Sequence, residues 1–567
     1  MLFMRPRYAF PLIALAVILI ARPTLHHPLL HDDLHTIVLN PALRQPAAWP
    51  DFFTHPETFS PEARMYRPLL MISYVLNLRL AGLDPFGFHL VNLMLHLFAC
   101  SMVFWLSRLL PPLKPWSFWI TLLFALHPVH TEALNYISCR SDLGASAFGL
   151  LAIAACLQLA AAEKFRPGLA ILALLAFAVA LGFKASAIVV PALILLLDFL
   201  FFRQGRLQNL LDFSSTRRKA VAATFLGLVL IALAYLALRR SLALETFFLS
   251  QPARPVPVNL LTQTRAAVLY LRLLFWPEHL SLEHQLPILE SPLDPAFLGP
   301  ALLIFLLLVL ALAGVRRGPI ISLAVGWFLI CPLPTFYVPL NVIASENRLY
   351  LASLSGVWIL VALARLATGN PPKKAGRVLL ALVAIAFAVL SLHRHPVWSS
   401  GLTLWRDAVQ KAPAVARNHI NYGIELRNAG KPAKAVRQYR WALRLDPKDS
   451  KAYSNLATAY YDLGRPEDEF DALRKTLELD PANVVARRNL AYALAEAGRK
   501  QEAIEVLSEA VRLAPRRADL RSSLGALYLH LGRIEEGKRE LEESLRLNPE
   551  QPEVRAALEQ IRKSRAP

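Results

Sequence analysis

Residues 297–314 read FLGPALLIFLLLVLALAG, a stretch without a single charge that is closed by Arg316 and Arg317. A helix of this length rises about 27 Å, close to the roughly 30 Å hydrocarbon thickness of a bilayer, so the stretch specifies a membrane-spanning helix. Further apolar runs of spanning length or near it lie at about 8–21, 88–109, 116–129, 142–162, 168–183, 187–202, 220–238, 319–336, 348–366 and 377–392. Together they predict about eleven spans. The chain is 567 residues long, 55% hydrophobic and 18% charged. That balance excludes an ordinary soluble enzyme and fits an all-α, polytopic transmembrane bundle.

The formal net charge of +20 has a membrane explanation. Arg5 and Arg7, Arg108 and Lys114, Lys164 and Arg166, Arg203 through Lys219, Arg316 and Arg317, and Lys373 through Arg377 all fall on one side of the expected spans. A Lys/Arg excess marks the cytoplasmic side and meets anionic headgroups, so no nucleic-acid partner is expected. The first run, Tyr8 to Ala21, reads as an uncleaved anchor rather than a signal peptide, because no small-x-small pattern follows it. Two amphipathic stretches, 67–82 and 263–276, are expected to lie along the interface. Cys100, Cys139, Cys156 and Cys331 are widely spaced, without CxxC or metal-type spacing, which argues against a disulfide framework or zinc.

This topology maps His31, Asp32, Asp33, His127, His130, Glu132, Arg140, Asp142, Lys184, Glu346, Asn347 and Arg348 to the outer ends of spans. They are expected to share one extracytoplasmic cavity, since charges at such depth are costly unless they have work to do. His89, Asn92 and His96, at helical spacings, face either that cavity or a neighbouring helix.

From about 416 the sequence becomes periodic. Asp446-Pro447, Asp480-Pro481, Ala514-Pro515 and Asn548-Pro549 recur every 34 residues, as do Gly430, Gly464, Gly498 and Gly532. This is the tetratricopeptide period, with glycine at the turn between two helices and proline after the second. Repeats are expected at 416–449, 450–483, 484–517 and 518–551, with a last helix to about 563. Glu469 and Gly537 break the pattern of Ala435 and Ala503. The expected organisation is a bundle over 1–395 with a first outer loop at 23–87, a linker at 396–415 and an α-solenoid over 416–567. A solenoid groove of this kind holds a peptide or protein segment.

The motifs HDDLHTIVLNP from His31, YRPL from Tyr66, LDPFGFHLVNLMLH from Leu83, LHPVHTEALNYISCRSDL from Leu126 and ENRLYLASLSGV from Glu346 precede the repeats in that order. In this order the chain resembles the transmembrane and tetratricopeptide-repeat-containing O-mannosyltransferase family, itself similar to the GT-C glycosyltransferases. The resemblance implies transfer of a sugar, mannose, from a polyprenyl- or dolichyl-phosphate carrier to serine or threonine of a protein, with inversion. Asp32 and Asp33 fall where that superfamily carries its acidic motif. Ala185 stands where the family's Lys-Glu pattern has an acidic residue after Lys184.

Sugar transfer to a hydroxyl needs a base, groups that stabilise the departing phosphate, and exclusion of water. Asp33 is expected as the base and Asp32 as its partner, with a turn or N-cap role as the structural alternative. Arg140 and Arg348 are candidates for the carrier phosphate, because a guanidinium matches phosphate in a fork. An Arg140–Asp142 ion pair is the alternative for the first. His127, His130 and Glu132 have a spacing that suggests a metal, but Pro128 argues against the regular helix such a site needs, and the family resemblance implies donor or acceptor recognition instead. A membrane-anchored scaffold without catalysis and a glycan transporter are the other functional classes. The expected location is a bacterial cytoplasmic membrane with the catalytic site and repeats on the periplasmic side, with an endoplasmic reticulum membrane and a lumenal solenoid as the alternative.

Overall fold

The computed structural model describes residues 6–44, 49–59, 65–206, 216–242, 254–369 and 373–564. Among them every regular element is a helix. Two compact units part between Asp407 and Ala408, inside the helix Gly401–Lys411. The stretch expected as a linker is therefore partly helical.

The first unit is a membrane protein by the character of its helices. Among the described residues eight helices are long and apolar enough to cross a bilayer: Tyr8–His26, Pro85–Leu109, Ile137–Ala161, Ala185–Phe202, Arg218–Ser241, Pro295–Arg317, Pro319–Tyr337 and Lys374–Ser399. The other three expected spans are shorter. Pro167–Phe183 has 17 residues, Ser353–Thr368 has 16 and Ser117–Leu126 has 10. Ten residues rise only about 15 Å, half of a bilayer. The run 116–129 is cut by Pro128, which lacks an N–H and pushes the preceding residue out of the α region, so His127 sits at φ −63°, ψ 126°.

Burial sorts the long helices by position. Pro295–Arg317 buries no residue, and a helix apolar on every side without a protein cover faces lipid. Ile137–Ala161 is 83% buried over its apolar window and forms the centre of the bundle. Its small residues allow close approach: a Cβ on Gly144 would lie 2.4 Å from the Phe183 ring, which leaves glycine as the residue that fits. The stretch expected at the interface over 67–82 forms Pro68–Ala81 and sends Leu70, Met71, Tyr74 and Val75 into the core. The stretch over 263–276 belongs to Val256–Phe275, whose Ala266, Ala267, Tyr270, Leu273 and Leu274 build a second apolar cluster. Each therefore has a face built into the protein rather than only lying on lipid.

The second unit follows the 34-residue period. Its helix pairs are Ala416–Asn428 with Pro432–Leu445, Ser450–Asp462 with Pro466–Leu479, Val484–Glu496 with Lys500–Leu513, and Ala518–His530 with Ile534–Leu547, followed by Pro552–Ser564. Gly430, Gly464, Gly498 and Gly532 take φ of 68°, 63°, 79° and 74°, the left-handed conformation that closes a helix and that glycine adopts without strain. Within each pair the helices cross at a small residue. In the first a Cβ on Gly423 would meet the Tyr439 ring at 2.4 Å, and in the fourth one on Gly537 would meet the Gly525 carbonyl at 2.9 Å. The departure at Gly537 is thus a fitted contact. The departure at Glu469 buries a carboxyl, whose pKa burial and Glu496 raise to about 7.

Gly423→Ala is expected to destabilise the first repeat by about 1–3 kcal/mol, the usual range for overpacking. Amide hydrogen exchange over 416–449 in the full chain measures it, and unchanged protection there would show that Tyr439 moves aside freely.

Candidate active site

The acidic pair sits just after the first apolar helix, and its two carboxylates have opposite surroundings. His31 precedes them at φ 51°, an uncommon conformation for a residue with a Cβ. Asp33 is fully buried. Its carboxylate accepts from the Leu30 N–H at 3.2 Å, the Ile137 N–H at 3.3 Å, the Ser138 N–H at 2.8 Å and the Ser138 hydroxyl at 2.6 Å. Burial outweighs these donors and pushes its pKa up to about 7. Asp32 is exposed, with 59% of its side chain accessible. Its backbone N–H donates to the Tyr136 hydroxyl at 3.2 Å, and its carboxylate lies 3.4 Å from His31 Nε2. The His31 ring meets Trp405 edge-on at 5.1 Å. The two carboxylates expected as base and partner therefore differ in access: Asp33 is enclosed and held by four donors, while Asp32 is accessible.

The HPVHTEALNYISC segment from His127 to Cys139 is buried almost throughout, and the nominated residues in it are committed to the fold. His127 Nε2 lies 3.0 Å from the Leu274 carbonyl, and its Nδ1 accepts from the Val129 N–H. His130 Nε2 is 3.0 Å from the Ser353 hydroxyl. Glu132 accepts from the Asn347 N–H at 2.9 Å and the Ser345 hydroxyl at 3.3 Å, so it clamps the 345–347 turn. Burial and the neighbouring Glu346 raise the pKa of Glu132. Glu346 in turn accepts from the Ser281 N–H and lies 3.2 Å from His284 Nε2. Among the described residues no group of three His, Cys, Asp or Glu is placed to hold a metal. His89 contacts the Leu134 and His27 carbonyls, Asn92 donates to the Ala133 carbonyl, and His96 lies 2.7 Å from the Tyr350 hydroxyl. These three bind neighbouring segments and do not face a cavity.

Arg140 is fully buried. Its Nε donates to Asn92 Oδ1 at 2.9 Å and its Nη2 to the Phe88 carbonyl at 2.9 Å, while the guanidinium stacks over Tyr74. It is neither paired with Asp142 nor available to a phosphate. Asp142 instead holds Lys184 Nζ at 2.8 and 2.7 Å, and Asn347 Nδ2 at 3.3 Å. Lys184 thus finds its acidic partner across the bundle, in place of the missing neighbour at Ala185.

Asp142, Lys184, Asn347 and Arg348 line a cavity of about 440 Å³, together with Arg67 and Arg239. Its remaining wall is largely apolar, including Ile188, Val190, Leu236 and Leu351. Four cations around one carboxylate in an apolar cleft suit an anion attached to a hydrophobic chain. Arg348 is held in place by the Ile343 and Val342 carbonyls, each at 2.8 Å. Asp32 and Asp33 are not among the lining residues, so the twelve residues expected in one cavity are not all gathered there. The acidic pair and the cavity are joined by one turn of chain: Arg67 donates to the Ser141 hydroxyl at 3.4 Å, Ser141 donates to the Ser138 carbonyl at 3.0 Å, and Ser138 holds Asp33.

The periodic region matches models described as tetratricopeptide repeat over 423–484, 471–518 and 496–561. The chain is similar to Protein O-mannosyl-transferase TMTC1 of Homo sapiens, 26% identical over 514 residues that cover 80% of this chain and 57% of that protein. It is also similar to Protein O-mannosyl-transferase TMTC2 of Homo sapiens, 37% identical over 135 residues that cover 23% of this chain and 16% of that one. The similarity to proteins of this name extends over most of the chain. The chain spans about half the length of the curated relatives that it matches most extensively. Among solved structures, the crystal structure of YrrB, a TPR protein with an unusual peptide-binding site, is similar at 19% identity and a TM-score of 0.26, covering 33% of this chain and 92% of that one.

Arg67, Arg239, Tyr136 and Ser138 were not nominated from the sequence. Arg67 lies in the YRPL motif that carries the family resemblance. Arg239 directly follows the apolar 220–238 run, as a cation at the end of an apolar helix. Both signals were present. Tyr136 and Ser138 lie in the motif that starts at Leu126, and their hydroxyls contact the Asp32 N–H and the Asp33 carboxylate.

Asp33→Asn turns an NH2 group toward donors and is expected to cost about 1–3 kcal/mol. The raised pKa of Asp33 means that the native state holds a proton the unfolded chain, at 3.8, has released. Its contribution to stability is therefore full below about pH 4 and is lost as pH rises toward 7. Thermal unfolding across that window should show a less stable, flatter variant, and an unchanged pH slope would mean that Asp33 is ionised throughout.

Proposed function

We propose that this chain is an integral membrane glycosyltransferase that moves a sugar, mannose by its family resemblance, from a polyprenyl- or dolichyl-phosphate carrier to serine or threonine hydroxyls of a protein. The observation that carries this reading is the cavity in which Arg67, Lys184, Arg239 and Arg348 surround Asp142 within an apolar wall. A lipid-linked phosphate has both properties that such a site selects, an anionic head and a hydrophobic tail. The names of the relatives, protein O-mannosyl-transferases, support the reaction type.

In this reading the cationic wall binds the phosphate and stabilises the charge that grows on it as the bond from carrier to sugar breaks. Asp142 limits the excess positive charge and fixes Lys184 in position. Asp32 accepts the proton of the attacking hydroxyl, which adds to the anomeric carbon opposite the departing phosphate and inverts it. Asp33 is a positioning residue that holds the turn carrying Asp32. The chain's own side chains supply base and phosphate contacts, and a divalent metal is not required by this scheme. The reaction is placed on the extracytoplasmic side, periplasmic or lumenal, and the solenoid is assigned to the protein acceptor.

Purified protein given a labelled polyprenyl-phosphate mannose and an acceptor peptide tests the proposal. Asp32→Asn is expected to keep the fold and lower transfer by about 10²–10⁴, the usual contribution of a general base. Wild-type turnover in that variant would remove Asp32 from the mechanism. Arg239→Gln is expected to raise the KM for the donor by about tenfold or more, as loss of a charged hydrogen bond predicts. A donor KM unchanged by Arg239→Gln would show that the phosphate binds elsewhere.

A further inference from the structure

The first repeat differs from the other three in its surface chemistry. Over 416–449 there are eight basic and three acidic residues, against four and seven over 450–483, seven and four over 484–517 and five and seven over 518–551. The difference is concentrated on the exposed face of one helix, Pro432–Leu445. Each later repeat neutralises that face with two ion pairs three residues apart. Near the start of the second helix these are Arg465–Asp468, Arg499–Glu502 and Arg533–Glu536. Near its end they are Lys475–Glu478, Arg512–Glu509 and Arg546–Glu543.

The first repeat replaces both. At the positions of the first pair it has Lys431 and Lys434, two cations. At the positions of the second it has Trp441 and Arg444, with the guanidinium stacked 4.8 Å from the indole centroid. Arg437, one turn before Trp441, stands where the second and third repeats have Asp471 and Glu505. Among the described residues, Lys434, Arg437 and Arg444 have no carboxylate partner. Trp441 is 50% exposed and Leu445 39%. Residues 434, 437, 441 and 444 follow helical spacing, so unpaired cations and an exposed indole share one stripe.

We propose that this stripe docks on an anionic phospholipid surface, with Trp441 at the headgroup level and Lys434, Arg437 and Arg444 on lipid phosphates. Tryptophan favours the membrane interface, and clustered Lys and Arg are attracted to anionic headgroups in proportion to their number. Chain connectivity selects lipid over an acidic protein. The last apolar helix ends at Ser399 and the repeat unit begins at Ala408, so a tethered bilayer is always present at high effective concentration. The proposal does not rest on the transferase reading.

The full chain reconstituted in nanodiscs of phosphatidylcholine, alone or mixed with phosphatidylglycerol, provides the test. Hydroxyl-radical oxidation of Trp441 is read by mass spectrometry, with the exposed Tyr461 and Tyr492 of the next two repeats as internal references. The expected result is severalfold protection of Trp441 in the anionic bilayer only. High salt and the double variant Lys434→Glu, Arg437→Glu should abolish that protection, while Tyr461 and Tyr492 stay unchanged and report an intact solenoid. Equal oxidation of Trp441 in the two bilayers, as an acidic protein partner would predict, overturns the proposal. So does protection that survives the charge reversal.

Discussion

A buried stretch of chain that is not a regular helix sets the terms for the transmembrane unit. Between Leu126 and Arg140 the backbone makes only short turns, yet nearly every residue is enclosed. Its short turns pair only some of its N–H and C=O groups with one another, and each buried group left unpaired costs free energy comparable to a lost hydrogen bond. Side chains from elsewhere in the sequence meet that demand. Ser391 serves the Leu126 carbonyl, His96 the Ala125 carbonyl, Asn92 the Ala133 carbonyl and His89 the Leu134 carbonyl. Asp33 serves the N–H groups of Ile137 and Ser138. The segment is a plug, and the surrounding helices are arranged to satisfy it.

That constraint divides the polar inventory of the bundle. A polar residue in an apolar helix reads as functional because its cost needs a reason. Here satisfying irregular backbone is such a reason, and it accounts for His89, Asn92, His96 and Asp33, while Arg140 bonds Asn92 and the Phe88 carbonyl. Outside that set, Asp32 is exposed at one end, and Arg67, Lys184, Arg239 and Arg348 line the cavity. Glu132 belongs to a third class. It accepts from Asn347 and Ser345 and so fixes the turn that delivers Asn347 and Arg348 to the cavity wall.

The sequence was most legible where structure is periodic. The four repeats follow the 34-residue spacing of glycine and proline, because each repeat buries the same face and turns at the same residue. Long apolar runs were equally plain, and Pro295–Arg317 is a lipid-facing helix as its composition requires. The run at 116–129 misled because apolar composition measures burial, and a buried turn is as apolar as a span. The candidate site was legible as a set of residues but not as an assignment of roles. Asp142 was read beside its neighbour Arg140, whereas its partner is Lys184, which the bundle brings from another helix. Long-range pairings of this kind leave no mark in local spacing.

In the proposed reaction two adjacent carboxylates serve by doing different things. Residues next to each other in a tight turn point in different directions, and the left-handed conformation of His31 sharpens that turn. One carboxylate is thereby driven inward, where four donors fix it, and the other is turned out. A base on a free loop would lose catalytic power to its own mobility, since productive geometry must be held within about half an ångström. A base enclosed deeply enough to be rigid would be out of reach of its substrate. Anchoring the neighbour resolves the conflict: Asp33 ties the turn to the Ile137–Ser138 backbone at the entrance of the most buried helix, and Asp32 takes its position from that tie while its carboxylate stays in solvent.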